Sequence, residues 1–142
     1  RNHRRIYGKI SLRFFGVTIA KDKGGFMKII CYSKCSTCKK VLKMMDDKNL
    51  SYELRDIKED NPRKEEIKTW HEATDYDIKK FFNTSGMIYR QENLKDKLKD
   101  MSLDEKYEKL ASDGMVVKRP ILFLDDGKIL VGPDVKKYIE TL

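Results

Sequence analysis

Cys31, Cys35 and Cys38 fall within eight residues and are the only cysteines in the chain. A secreted disulfide scaffold spreads an even number of cysteines along its length. Three crowded together point instead to redox or metal chemistry in a reducing compartment, so a cytoplasmic location is expected. The run Cys35-Ser36-Thr37-Cys38 sets two sulfurs about one helical turn apart, which suits a nucleophilic thiol with a resolving partner. Read from Cys31, the spacing is C-x-x-x-C-x-x-C, by which radical enzymes bind an iron–sulfur cluster. Those enzymes are usually much larger barrels, and Thr37 stands where they usually carry an aromatic residue. A zinc site needs a fourth ligand, and His71 is the only histidine after residue 26. Beside Trp70 in a helical pattern, it reads as a packed or solvated imidazole. No metal and no bound cofactor are therefore expected. Cys31 lies within an apolar run, where a buried cysteine behaves as a small hydrophobe.

The flanking pattern says how the pair is positioned. Met27 to Tyr32 is a short apolar run that reads as a buried strand, and Ser33-Lys34 is a turn. Cys38, Val41, Leu42 and Met45 then recur at helical spacing. Cys35 is thus expected at the helix N-terminus, where free N–H groups and the positive dipole end favour a thiolate. Lys34, Lys39 and Lys40 add positive charge. Tyr52 to Ile57 alternates as a second strand, completing a βαβ unit.

Further along, Pro62 marks a helix start, with Ile67, Trp70 and His71 at helical spacing. Thr74 to Asp77 resembles a cap before Ile78, Phe81 and Phe82, and Asn83 to Gly86 breaks the pattern. Leu94, Leu98 and Met101 trace a short amphipathic helix. Ser102-Leu103-Asp104-Glu105 is a capping box opening another, which ends at Asp113-Gly114. Arg119-Pro120 leads into Ile121 to Leu124, an Asp126-Gly127 turn and Lys128 to Val131, the strongest hairpin signal in the chain. Asp134 to Leu142 reads as a closing helix. The order is βαβ, short helices over about 61–114, then ββα. A thioredoxin-like (glutaredoxin-like) α/β core with a helical insertion is the expected fold, as one domain over 27–142.

Charge separates the first 26 residues from the rest. They hold seven Lys/Arg against one Asp, while the whole chain carries +8. The body is then nearly neutral, which argues against a polyanion partner and direct DNA binding. No run approaches the roughly 18 apolar residues of a membrane span. The basic start and apolar middle of the leader faintly resemble a signal peptide, but Arg13 interrupts the apolar part. Lys23-Gly24-Gly25, just before Phe26 and Met27, reads equally as a translated ribosome-binding site. Residues 1–26 are accordingly expected to be a non-native or disordered leader, with Met27 the native start.

YSKCSTCKK after the first strand, YELRDI, NPRKEEI and VKRPILFLDDGKILVG together resemble the glutaredoxin-coupled arsenate reductase and Spx/MgsR family, over Met27 to Leu142. The resemblance implies a thioredoxin-like fold, with Cys35 as the nucleophile. It makes Arg119 the arginine before a cis-proline, Pro120, and Cys38 the second cysteine of the Spx-like branch. Lys34 and the N–H groups of Ser36, Thr37 and Cys38, with Arg119, would hold anionic charge. Electrons would come from thioredoxin or from glutaredoxin and glutathione, and a monomer is expected. Two departures matter. The reductases hold their oxyanion with three arginines, and Asn83 and Gly132 align with two of them. Spx-type regulators dock on the RNA polymerase α subunit through a glycine in the central helical region, and Glu72 to Ile78 has none. The expected activity is thiol–disulfide exchange. A redox-sensing regulator that binds the polymerase α subunit is the alternative, and a coupled arsenate reductase a further one.

Overall fold

A computed structural model describes residues 4–7, 13–14, 17–18 and 25–142. In chain order the strands are β1 (Arg4–Tyr7), β2 (Arg13–Phe14), β3 (Val17–Thr18) and β4 (Phe26–Cys31). Next come α1 (Ser36–Asp47), β5 (Ser51–Asp56), α2 (Lys64–Glu72), α3 (Met87–Gln91), α4 (Leu94–Lys97) and α5 (Leu103–Ser112). The chain closes with β6 (Ile121–Phe123), β7 (Ile129–Val131) and α6 (Pro133–Glu140). Five strands form one sheet in the order β1-β5-β4-β6-β7, and β2 and β3 form a separate two-stranded pair. The β4–β5 pair is parallel, joined through α1, and β4–β6–β7 is antiparallel. This is the α/β thioredoxin-like core expected from the pattern.

The period of two along β4 divides the interior. Met27, Ile29 and Cys31 join Cys38, Val41 and Met45 of α1 and Val135 and Ile139 of α6 in one cluster. Ile30 faces the other way, into a cluster with Ile67, Phe81, Phe82, Tyr107 and Leu110. Residues 61–114 therefore cover one face of the sheet, and α1 and α6 cover the other. Toward its end β4 is buried on both faces, at Ile29, Ile30 and Cys31, while Lys28 on the Ile30 face is exposed.

Local signals hold the insertion in place. Ser102 Oγ accepts from Glu105 N at 3.1 Å, and Glu105 Oε1 accepts from Ser102 N at 2.8 Å. Both halves of the expected capping box are thus made. Asp77 accepts from Lys79 N and caps a single 3₁₀ turn, Ile78–Phe81, where a longer helix was expected. Arg55, 7% exposed on β5, grips Glu66 of α2 with two hydrogen bonds of 2.9 Å. Burial works against the Glu66 carboxylate, but Arg55 and the Arg63 N–H outweigh it and hold its pKa down to about 2. In the hairpin, Gly127 takes φ +92°, which favours glycine in this turn.

Several boundaries differ from the sequence reading. The helix expected from Leu94 to Met101 breaks into α4 and a 3₁₀ turn at Leu98–Asp100, and α3 was not anticipated. β4 and β5 each begin one residue early. The closing helix runs Pro133–Glu140, with proline in its first turn.

The leader also departs from its expected separateness. β1 pairs antiparallel with β5, Arg4 opposite Arg55 and Tyr7 opposite Tyr52. The Tyr7 and Tyr52 rings stack at 5.3 Å, and Arg4 Nε donates to Asp60 at 2.9 Å. The physical reason is that β5 without β1 would end the sheet with unpaired backbone groups. Residues 1–3, 8–12, 15–16 and 19–24 lie outside the described residues, so most of the leader reading falls there.

Candidate active site

Cys35 is the N-cap of α1, with φ −90° and ψ 123°. Its N–H donates to the Tyr32 carbonyl at 3.0 Å, and its own carbonyl accepts from Lys39 N at 3.0 Å. The turn thus delivers the sulfur to the helix N-terminus as the C-x-x-C pattern requires. Cys35 is half-buried, whereas Cys31 and Cys38 are 2% and 0% exposed. Access alone separates the three thiols.

The Cys35 sulfur opens on a cleft of about 770 Å³ lined by Thr37, Asn83, Lys118, Arg119, Gly132 and Lys136, among others. Of the residues picked out from sequence, Thr37 and Arg119 share this cleft with Cys35. Lys34 and Ser36, both exposed, do not line it. Pro120 is buried behind, joined to Arg119 by a cis peptide bond, and its carbonyl accepts from Gly132 N at 2.8 Å. That bond ties the hairpin entrance to the start of α6, so Gly132 and the α6 lysines reach the cleft.

Arg119 stands 5.1 Å from the centre of the Tyr32 ring. One of its guanidinium nitrogens is buried without a hydrogen-bond partner among the described residues. A buried donor left in this state costs about 1–3 kcal/mol, so the site holds a cationic donor ready for an anion. Sequence reasoning missed Lys118, Lys136, Lys137 and Tyr32. Lys118 adjoins Arg119 and was open to notice. Lys136 and Lys137 reach the cleft only because α6 starts beside Pro120, which no local pattern encodes.

Beneath the cleft the polar contacts converge on Cys38. Its sulfur accepts from Tyr32 N at 3.4 Å. The Cys31 thiol bonds to it and is the largest influence lowering its pKa to about 7. Burial opposes this, while Tyr32, Cys35 and Arg119 add to it. The same Cys31–Cys38 contact, followed by burial, pushes the Cys31 thiol well upward. The lowered thiol is therefore the buried one, because donors surround its sulfur. The thiolate fraction of Cys38 grows as pH rises through about 7. Closure of a Cys35 mixed disulfide by Cys38 should accelerate over that range and fall about tenfold per unit at lower pH. Loading Cys35 with thionitrobenzoate and timing release of the coloured thiol from pH 5 to 9 checks this. A rate that only begins to climb near pH 9 would contradict the arrangement.

His71 is occupied elsewhere: Nδ1 pairs with the Tyr107 hydroxyl at 2.7 Å and Nε2 with the Tyr76 carbonyl at 2.9 Å. Among the described residues no three His, Cys, Asp or Glu side chains are grouped to hold a metal ion. No helix among them is long and apolar enough to cross a membrane.

The sequence profile of the ArsC family matches residues 31–141. The chain belongs to the ArsC family. The uncharacterized protein YusI of Bacillus subtilis (strain 168) is 50% identical over 101 residues, covering 71% of this chain and 85% of YusI. An ArsC family related protein from Bacteroides fragilis superposes with a TM-score of 0.73 at 37% identity, over 80% of this chain and 96% of that one. A protein from Streptococcus mutans UA159, described as a possible arsenate reductase, gives 0.69 at 45% identity, over 75% and 90%. The ArsC fold of the chain follows from these matches. Within the ArsC match, Cys31 is the first residue and Arg119 lies well inside.

Proposed function

We propose that this ArsC-family protein is a thiol–disulfide oxidoreductase acting in the cytoplasm. The observation that carries the reading is one accessible sulfur, Cys35, at the mouth of a cleft above buried Cys38. Cys35 attacks a substrate disulfide as thiolate and releases one thiol. Cys38 then attacks Cys35 and releases the second, leaving a Cys35–Cys38 disulfide. Thioredoxin, or glutaredoxin with glutathione, returns the pair to thiols. Arg119 supports the developing negative charge beside the reacting sulfur.

Arsenate should be a poor substrate by comparison. Gly132 has φ +64° and ψ −130°, and a Cβ there would lie 3.0 Å from Lys118 Cε, so no arginine fits that backbone unchanged. Lys118, Lys136 and Lys137 supply charge but not the bidentate fork that arginine offers an oxyanion. A multiply charged oxyanion loses water on entry and needs such compensation. The test is a coupled assay with thioredoxin or glutaredoxin, comparing hydroxyethyl disulfide with arsenate. Disulfide turnover should exceed arsenate turnover by at least about tenfold. Efficient arsenate turnover lost in Cys35→Ser would make the protein an arsenate reductase. If neither substrate turns over and oxidation alters binding of the RNA polymerase α subunit, the regulator reading replaces this one.

A further inference from the structure

The redox-pair reading uses two of three clustered thiols and leaves Cys31 unexplained. We propose that Cys31 is a third redox thiol, which takes the disulfide over from Cys38 and returns Cys35 to a free thiol. The inference rests on the proposed Cys35–Cys38 chemistry and extends it inward.

Geometry puts the three sulfurs in series with Cys38 in the middle. Tyr32, the residue after Cys31, donates its N–H to Cys38 Sγ at 3.4 Å, which brings that sulfur to the end of β4. Cys35, at the N-cap of α1, stands one helical turn before Cys38, so both neighbours flank the same sulfur. Cys31 and Cys38 also share one core cluster, against which Cys35 packs. Packing alone asks nothing more of position 31 than of Met27 and Ile29, which share its face. Cys31 lines a second cleft, of about 390 Å³, with Arg5, Tyr7, Leu42 and Leu54. That cleft shares no residue with the one at Cys35.

The step balances without a further oxidant. Cys31 sulfur attacks Cys38 sulfur of the Cys35–Cys38 disulfide, the new Cys31–Cys38 bond forms, and Cys35 leaves as thiolate. The proton lost by Cys31 ends on Cys35 by way of solvent, and no net electrons are exchanged. Closing the first disulfide also prepares the second step. The hydrogen bond to a Cys38 thiolate and that thiolate's charge hold the Cys31 proton in the reduced protein, and both vanish when Cys38 becomes a neutral disulfide sulfur. Burial and the neighbouring Asp56 carboxylate then remain as opposing influences.

Trypsin makes the test direct, because Lys28, Lys34 and Lys39 separate Ile29–Lys34 from Cys35–Lys39. The full chain is reduced, oxidised with hydroxyethyl disulfide, quenched in acid, unfolded, alkylated with N-ethylmaleimide and digested. The expected product, in more than about half of the oxidised chains, joins the two peptides through Cys31 and Cys38 with the maleimide on Cys35. Its native form should also keep one fast-alkylating thiol, which Cys31→Ala should lose. A disulfide closed within Cys35–Lys39, with the maleimide on Cys31, overturns the relay and leaves the redox pair standing. Peptides joined through Cys35 overturn the relay as well. No disulfide in either place sinks both readings.

Discussion

Cys35→Ser should lose disulfide turnover by roughly a thousandfold or more, while its melting temperature stays level or rises. The two halves of this expectation have separate causes. Exchange needs a thiolate, and a serine hydroxyl is neither ionised nor able to form the mixed disulfide. Cys38 cannot substitute in the first step, because it is fully buried beneath the cleft. Folding, by contrast, gains a better cap. Cys35 occupies the N-cap of α1 with no side-chain hydrogen bond to the helix, and serine is among the residues preferred there. The measurement is steady-state turnover of hydroxyethyl disulfide alongside thermal unfolding of the reduced proteins. Retained activity would move the nucleophile away from Cys35. Lost activity together with a marked fall in melting temperature would mean only that the site had collapsed.

Gly114→Ala should destabilise the protein by about 3 kcal/mol or more, one of the largest effects expected of a single added methyl group. A Cβ at residue 114 would lie 1.9 Å from the Ile57 carbonyl oxygen and 2.8 Å from its carbon. Both are backbone atoms, so no rotamer change relieves the overlap. Gly114 opens the 3₁₀ turn after α5, and Ile57 follows β5 directly. The two chain segments must separate, and Val116 and Val117 sit just beyond in the core, 1% exposed each. Urea unfolding at constant slope measures the loss. A cost below about 1 kcal/mol would show that the insertion yields easily at this contact.

Much of the site's local frame was open to reading because local rules dictate it. The strand, turn and helix around Cys35 follow from an apolar run, a polar break and helical spacing. The Ser102–Glu105 capping box and the Gly127 turn are equally local, and the structure makes both. What escaped depends on distance in sequence. The cleft lysines 136 and 137 meet Cys35 only through the fold. The Arg55–Glu66 grip joins residues eleven apart across two elements. The five residues of α3 are too few to display a stripe, and only Tyr89 among them is buried. The surroundings of Cys38 were hidden for a related reason: Tyr32 comes from the turn after β4, Cys31 from β4 itself and Arg119 from far along the chain.

β1 has a colloidal consequence as well as a packing one. Its four exposed residues pair with Tyr52 to Arg55 of β5, so the middle of that side of β5 is already covered by a strand. A molecule stripped of Arg4–Tyr7 would present six residues of open strand, with Tyr52 and Leu54 along it and a parallel neighbour behind. Such an edge invites another chain to add itself. The short segment thus works as a stopper against self-association: Arg4 is paired with Asp60, and exposed Arg5 places a positive charge on the rim where a second sheet would dock.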